Sequence, residues 1–351
     1  IDAGHLLGSS CIEIKVTEDS KTTTLLFSGD LGNVNRPLIR DPQMPPQADY
    51  VVIESTYGDR LHGPRPDYVG QLTRIVQTTF DRGGNVVIPS FAVGRTQELL
   101  YLFRVMKEKS LIYGHDDFAV WVDSPLAVDA TAIYANKKLK GYFDNETLQL
   151  LSRGIDPIHF PGLNLSVTSE ESKAINSDPT PKIILSASGM CEAGRIRHHL
   201  KHNLWRHEST ILFVGYQAEG TLGRRIVDGA TDVKLFGEDI HVNAEIEQLD
   251  GISGHADKNM LLNWLEHMPQ KPKAVFVNHG HDSVCDLFAQ AVTEKLGVPA
   301  TAPYSGDGYE IGENMVQADV GRRVLCSKKS APTRKASAVF ERLYLAGLNL
   351  Q

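Results

Sequence analysis

Histidine and carboxylate residues recur beside glycines at five points of the sequence. IDAGHLLGSS contains His5, FSGDLG contains Asp30, VVIESTYGDR contains Glu54, ISGHAD contains His255 and KAVFVNHGHD contains His279. Any one of them alone is more often a helix cap than a ligand. Imidazole and carboxylate together, without cysteine, suit zinc or a similar divalent ion, which lowers the pKa of bound water to about 7 and can hold a phosphoryl oxygen. The pattern predicts a metal-dependent hydrolase.

Apolar segments precede three of these residues and must position them. Asp30, Glu54 and His279 each follow a short apolar segment, and ligands bind at the carboxyl ends of strands in open α/β sheets. Alternation with helical periodicity predicts an α/β protein. The predicted strands are 22–27, 50–54, 85–89, 119–122, 182–186, 211–214 and 274–277. The predicted helices are 67–82, 96–109, 259–267 and 286–296.

The composition is that of an ordinary globular protein. The 351 residues are 41% hydrophobic and 23% charged, and the length suits two domains or one domain with a large insertion. The four cysteines are scattered, which favours a reducing cytoplasm over a disulfide scaffold or a thiolate zinc site. The sequence has no apolar run long enough to span a membrane and no signal-peptide pattern. We therefore expect a cytoplasmic location without a membrane partner.

The net charge of −7 does not indicate a nucleic-acid-binding protein, but one segment is locally basic. AGRIRHHLKHNLWRH, residues 193–207, contains no acidic residue. On a helix, Arg195, His198, His199 and His202 would share one face and could contact phosphates. The alternative is a helix that pairs with acidic residues of another domain.

A small-residue turn, SASGM, follows the predicted strand at 182–186. The hydroxyls of Ser186 and Ser188, with backbone N–H groups such as that of Gly189, could hold a phosphate. A plain tight turn is the alternative. We expect Arg95 and Glu98 to form an internal ion pair and not to bind substrate.

Nine motifs in order resemble the metallo-β-lactamase fold proteins of the β-CASP group, which includes bacterial and archaeal ribonucleases and the nuclease subunit of the pre-mRNA 3′-end cleavage complex. They are DAGHLLGSS, FSGDLG, VIESTYGDR, PSFAVGRTQELL, DSPLA, SASGMCEAGRIRHHL, GYQAEGTLGRRI, SGHAD and VNHGH. The resemblance implies an α/β architecture, a metallo-β-lactamase αββα sandwich with an inserted β-CASP cap. The implied parts are the first metallo-β-lactamase segment 1–59, the cap 60–237, the returning segment 238–308 and a C-terminal appendage 309–351.

The same resemblance implies roles for the five residues. His5 would be a terminal zinc ligand, Asp30 the carboxylate that bridges two metals, and His279 a ligand of the second zinc. His255 would face the scissile phosphate and protonate the leaving oxygen. Glu54 matches the acidic residue that opens the cap, and a carboxylate beside an imidazole favours the charged, donating ring, so we expect Glu54 to serve His255.

One family motif has no counterpart in the sequence. In the resembled proteins a His-x-His-x-Asp-His motif precedes the stretch equivalent to IDAGHLLGSS, and no such motif occurs in the 351 residues. His5, Asp30 and His279 alone cannot hold two zinc ions at normal coordination number. We therefore expect an N-terminally incomplete part of a longer enzyme. The rival hypothesis is a pseudo-enzyme that has lost its metals.

Three functions follow as hypotheses. The leading one is a ribonuclease with two zinc ions that hydrolyses single-stranded RNA in a cleft between the two domains. Manganese would fit the same donors, and a homodimer is a further expectation. The alternatives are an inactive RNA-binding or scaffold subunit and a small-molecule metallohydrolase of the same fold. The cleavage mode, the RNA sequence preference and the role of 309–351 stay open.

Overall fold

The computed structural model of the chain describes residues 1–249, 251, 253–312 and 315–321, apart from the side chain of Lys137. Ile1–Thr301 forms one unit, and a second unit begins at Ala302. The predicted appendage 309–351 lies outside the described residues from 322 onward. No helix in the described part of the chain is long and apolar enough to cross a membrane.

Helices and strands alternate through most of the first unit, as predicted. The helices are α1 Tyr68–Asp81, α2 Arg95–Glu108, α3 Pro125–Tyr134, the 3-10 helix η1 Lys137–Tyr142, α4 Asn145–Ser152, α5 Ser169–Ser177, α6 Ile196–Asn203, α7 Leu222–Val227, α8 Lys258–Glu266 and α9 Asp282–Leu296. The strands are β1 Ile12–Glu18, β2 Lys21–Phe27, β3 Tyr50–Glu54, β4 Val86–Pro89, β5 Ala119–Asp123, β6 Leu163–Ser166, β7 Lys182–Ser186, β8 Thr210–Phe213, β9 Asp232–Leu235, β10 Glu238–His241, β11 Glu245–Gln248, β12 Ala274–Asn278, β13 Ala300–Thr301, β14 Gly308–Glu310 and β15 Val316–Asp319.

The first sheet brings together strands that are far apart in sequence. Its order is β1-β2-β3-β12-β13, with β1 antiparallel to β2 and the other neighbours parallel. Phe27 is paired with Val52, and Asn278 with Glu54. The carboxyl ends of β2, β3 and β12 therefore lie side by side at one edge of the sheet, as the sequence pattern predicted.

The second sheet has apolar residues packed on both of its faces. Its order is β11-β8-β4-β7-β5-β6, and all neighbouring strands are parallel. In β4, Val86 and Ile88 pack with the buried residues of α1 and α2, whereas Val87 packs with those of α6 and α7. Because both faces of this sheet are covered, every residue of β4, β7 and β8 is buried. Strands of this kind are rich in apolar residues instead of alternating between apolar and polar ones.

The two sheets use different parts of the chain. Strands β4 to β8 and β11 build the second sheet, so that sheet extends to Gln248. The predicted boundary at 237 falls in the two-residue turn between β9 and β10, which pair with each other. The division into metallo-β-lactamase and cap domains stays a prediction.

A close approach between two turns makes one glycine a sensitive position. A Cβ at Gly84 would lie 1.7 Å from the carbonyl oxygen of Glu208, which is backbone and cannot rotate away. We expect Gly84→Ala to lower the free energy of unfolding by about 2 kcal/mol or more, because the β4 and β8 ends must separate. Gly141→Ala, where no atom lies within 4 Å, is the matched control and should change stability by less than about 0.5 kcal/mol. Urea denaturation gives the free energy of unfolding of both variants. Equal midpoints for Gly84→Ala and Gly141→Ala would contradict the close approach of Gly84 to Glu208.

Candidate metal and catalytic site

Three of the predicted residues meet at the shared edge of the first sheet. Asp30 follows β2, Glu54 ends β3, and His279 follows β12. The Nδ1 atom of His279 lies 3.0 Å from a carboxylate oxygen of Asp30. His279 has φ of 50°, a left-handed conformation that is uncommon for a residue with a side chain. Thr56 supports it by donating a hydrogen bond to the His279 carbonyl oxygen at 3.2 Å.

His255 lies against the buried carboxylate of Glu54. Its Nδ1 is 3.1 Å from each of the two Glu54 oxygens. One of those oxygens also accepts the backbone N–H of Leu31 at 2.6 Å, so the carboxylate is held on two sides. A carboxylate can only accept here, and His255 Nδ1 therefore carries the hydrogen. The expected pairing of Glu54 with His255 is present, while the catalytic roles stay predictions.

His5 approaches the same cluster from the first loop of the chain. The centres of its ring and the His255 ring are 4.3 Å apart, and its Nδ1 is 3.1 Å from the carbonyl oxygen of Gly254. The loop turns back at Gly4, whose φ of +65° suits glycine. Burial, with the nearby charges of His255 and Arg36, lowers the pKa of His5. A lowered pKa favours the neutral ring, which is the form that binds a metal ion.

The donor atoms converge as a metal site requires. The ligand atoms of His5, Asp30 and His255 lie within 4.8 Å of one another, and so do those of Glu54, His255 and His279. Imidazole nitrogens and carboxylate oxygens are the donors that zinc takes when cysteine is absent. These side chains therefore fit a zinc centre. The structure brings all five predicted residues together, and His255 lies where it could be either a ligand or an acid.

A buried arginine that the sequence analysis missed supports the two histidine loops. Arg36 donates from Nη1 to the backbone oxygen of His5 at 2.6 Å and to that of Gly254 at 3.2 Å. Its other nitrogens contact Glu98 at 2.7 Å, and Glu98 also pairs with Arg95 at 2.6 Å, which confirms the expected internal ion pair. Burial would raise the pKa of Glu98, but Arg95 and Arg36 outweigh it and lower the pKa.

Three of the predicted substrate residues belong instead to a buried network around Asp123. His199 is fully buried, with Nε2 2.6 Å from an Asp123 oxygen and Nδ1 2.9 Å from Asn176. Arg195 pairs with the other Asp123 oxygen at 2.7 Å. Ser186 is buried and donates its hydroxyl to the Asp123 backbone oxygen at 2.8 Å. The prediction that these groups face substrate is corrected, because their polar atoms already have internal partners.

The remaining substrate candidates differ in their access to solvent. His198 and His202 are exposed and line a pocket of about 410 Å³ between α5 and α6. Ser188 is half-buried, and both its N–H and its hydroxyl bond to the backbone oxygen of Ala193. Gly189 is buried beneath the ring of Phe91. The N–H and the hydroxyl of Ser188 therefore already have an internal partner, while the binding role of Gly189 stays a prediction.

The two sheets and the cluster of histidines and carboxylates match the class of metallo-hydrolase folds. The Beta-Casp domain matches residues 96–226, and the Zn-dependent metallo-hydrolase RNA specificity domain matches residues 239–303. The chain belongs to the β-CASP ribonuclease family of the metallo-β-lactamase fold, a family of metal-dependent hydrolases whose cofactor is zinc.

Three relatives give the range of similarity. Ribonuclease TTHA0252 of Thermus thermophilus is 39% identical over 80% of this chain and 62% of its own length. An RNase J-like protein of Methanocaldococcus jannaschii is 32% identical over 87% of this chain and 68% of its own. Transcription termination factor FttA of Methanosarcina mazei is 31% identical over 86% of this chain and 47% of its own. The chain thus spans about half to two thirds of the length of these relatives.

The Asp123 network predicts a pH-dependent contribution to stability. Burial alone would raise the pKa of Asp123, but hydrogen bonds from His199 and Ser172 outweigh it and hold the pKa well below its usual value. A depressed pKa stabilises the fold above about pH 4, and the contribution is lost as the pH falls further. We expect Asp123→Asn to lower the free energy of unfolding by about 2 kcal/mol or more at pH 7, with a smaller difference from the wild type at pH 3.

Asp129→Asn is the control, because Asp129 is exposed on α3. Chemical denaturation at pH 7 and at pH 3 gives the free energy of unfolding of the wild type, Asp123→Asn and Asp129→Asn. A difference between Asp123→Asn and the wild type that stays constant from pH 7 to pH 3 would contradict the charged network.

Proposed function

We propose that this chain carries the catalytic site of a zinc-dependent ribonuclease, which hydrolyses RNA phosphodiester bonds at the carboxyl edge of the first sheet. The observation that carries the proposal is the position of His255. The buried Glu54 carboxylate holds its ring, and the centre of that ring lies 4.3 Å from the centre of the His5 ring and 5.9 Å from that of the His279 ring. A proton donor thus stands among the predicted metal ligands. The names of the ribonuclease relatives support RNA as the substrate.

Each residue has a proposed role. His5, Asp30 and His279 would hold zinc, and bound zinc would supply an activated water and neutralise charge on the phosphate. His255 donates Nδ1–H to Glu54, which fixes the orientation of the ring. The other ring nitrogen, Nε2, then gives its proton to the leaving oxygen.

A pocket of about 370 Å³ beside His255 is the proposed path for the RNA strand. Tyr57 and His62 line one part of it, and Tyr216 and Gln217, which follow β8, line another. Tyr216 is 63% exposed, and its ring offers a flat surface on which a base can stack. Residues that follow strands of both sheets line this pocket, which supports it as the proposed cleft for the RNA strand.

The first experiment is cleavage of end-labelled single-stranded RNA by the intact gene product, with Asp30→Ala as the control. We expect metal-dependent cutting that the variant loses, and the product lengths will show whether cleavage is internal or from an end. RNA binding without cutting by either protein would favour the inactive RNA-binding subunit. Cleavage of thioesters or lactams but not of RNA would favour the small-molecule hydrolase. The homodimer and the cytoplasmic location stay predictions.

His255→Ala separates an acid from a metal ligand. We expect RNA cleavage to fall by about 100-fold or more, because the leaving oxygen loses its proton donor, while the zinc content stays that of the wild type. Glu54→Gln should lower the rate in the same direction, since it replaces the carboxylate that accepts the Nδ1 hydrogen bond and orients the His255 ring. Elemental analysis of the purified proteins measures the zinc. Loss of zinc from His255→Ala would make His255 a ligand and overturn its proposed role as acid.

A further inference from the structure

A phenylalanine occupies a turn position that its side chain disfavours. Phe236 and Gly237 form the two-residue turn between β9 and β10, with φ of 52° and 87°. Two positive φ values define a hairpin turn that asparagine, aspartate and glycine favour, and a bulky residue there costs about 1 kcal/mol or more. Phe236 is nevertheless 47% exposed, so burial does not explain its presence. The turn presents an aromatic ring to solvent.

The first turn of α6 extends this aromatic surface. The ring of His198 stacks on Phe236 with the centres 4.4 Å apart and an angle of 23° between the planes. The guanidinium of Arg197 lies 5.0 Å from the centre of the same ring. A hydrogen bond of 2.6 Å from Lys201 to Glu238 holds the hairpin against the helix. We call Phe236, His198 and Arg197 the stacking platform.

A basic groove continues from the platform through His198, which belongs to both. This groove is the pocket of about 410 Å³ between α5 and α6, where Lys173 and His202 also contribute to the wall, together with Arg195, whose guanidinium is paired with Asp123. Its other lining residues are serines and one asparagine, so the groove is lined by cations, imidazoles and neutral polar groups. Aromatic stacking beside a cationic groove without lining carboxylates is the combination that binds single-stranded nucleic acid.

We propose that the stacking platform and the groove form a second binding site for single-stranded RNA, distinct from the cluster at the edge of the first sheet. The proposal rests on the proposed function for RNA as the ligand. Bases stack on Phe236 and His198, and the phosphates follow Lys173 and His202 along the groove. Such a site would hold a long RNA strand while another part of it occupies the catalytic site.

The test measures RNA binding, so it is independent of cleavage. In the Asp30→Ala background of the intact gene product, fluorescence anisotropy gives the affinity for a labelled oligouridine of about 20 nucleotides, longer than the ~4–16 nucleotides that one site covers. We expect Phe236→Asn to weaken binding about five-fold or more, because stacking on that ring is lost. Asparagine favours the left-handed turn, so the thermal midpoint should not fall. Tyr113→Asn is the matched control, since Tyr113 is an exposed aromatic residue in the loop between α2 and β5.

Lys173→Gln gives a second, electrostatic measurement. We expect the slope of the logarithm of affinity against the logarithm of salt concentration to become shallower by about 0.7, the value for one phosphate contact on a single strand. Unchanged affinity in Phe236→Asn would overturn the second site even where the wild type cleaves RNA. Absence of RNA binding by the Asp30→Ala parent would overturn it as well. If the wild type does not cleave RNA but binds it, and Phe236→Asn weakens that binding, the catalytic proposal is rejected and the second binding site stands.

Discussion

Parallel pairing of β3 with β2 on one side and β12 on the other is the constraint on which the site depends. Because Asn278 is opposite Glu54 and Phe27 is opposite Val52, the residues that follow the three strands meet at one edge. A shift of register by one residue would turn each side chain to the opposite face. Most residues of β3 and β12 are buried, so the packing of these strands and the position of the catalytic groups depend on the same strand pairing.

The sheet places Asp30, Glu54 and His279, but His5 and His255 come from loops and need other support. That support is Arg36, which joins the backbone oxygens of His5 and Gly254 and is itself held by the buried Glu98. Further contacts join the loops, because the N–H of Gly32 bonds to Ala3 and that of Asn33 bonds to Gly254. The two histidine loops are therefore fixed to each other and to α2, which belongs to the second sheet's helices. A metal ion at this site would meet donors that are largely oriented before it binds.

The sequence was a good guide where local pattern decides the structure and a poor one where distant packing does. The strands that end at Glu54 and before His279 were predicted because an apolar run followed by a polar residue is a local signal. Strand β1 was missed although Ile12, Ile14 and Val16 alternate with polar residues; all seven of its residues are exposed, so its alternation does not mark a face buried in the core. Helical spacing placed His198, His199 and His202 on one face, but only the position of α5 shows that His199 is covered. The role of Arg36 depends on a contact with Glu98 that is 62 residues away in sequence.

The corrected roles of His199 and Arg195 bear on how the second sheet serves the site. Their bonds to Asp123 tie α6 to β5, and the Ser172 hydroxyl ties α5 to the same carboxylate at 2.6 Å. A buried ionic group of this kind is weak support for stability in itself, since apolar residues of the same volume often do as well. Its geometric effect is specific, because α5 and α6 are held at the separation that leaves a groove between them. His199 and Arg195, which were expected to touch RNA, thus hold the helices whose surface presents His198 and His202.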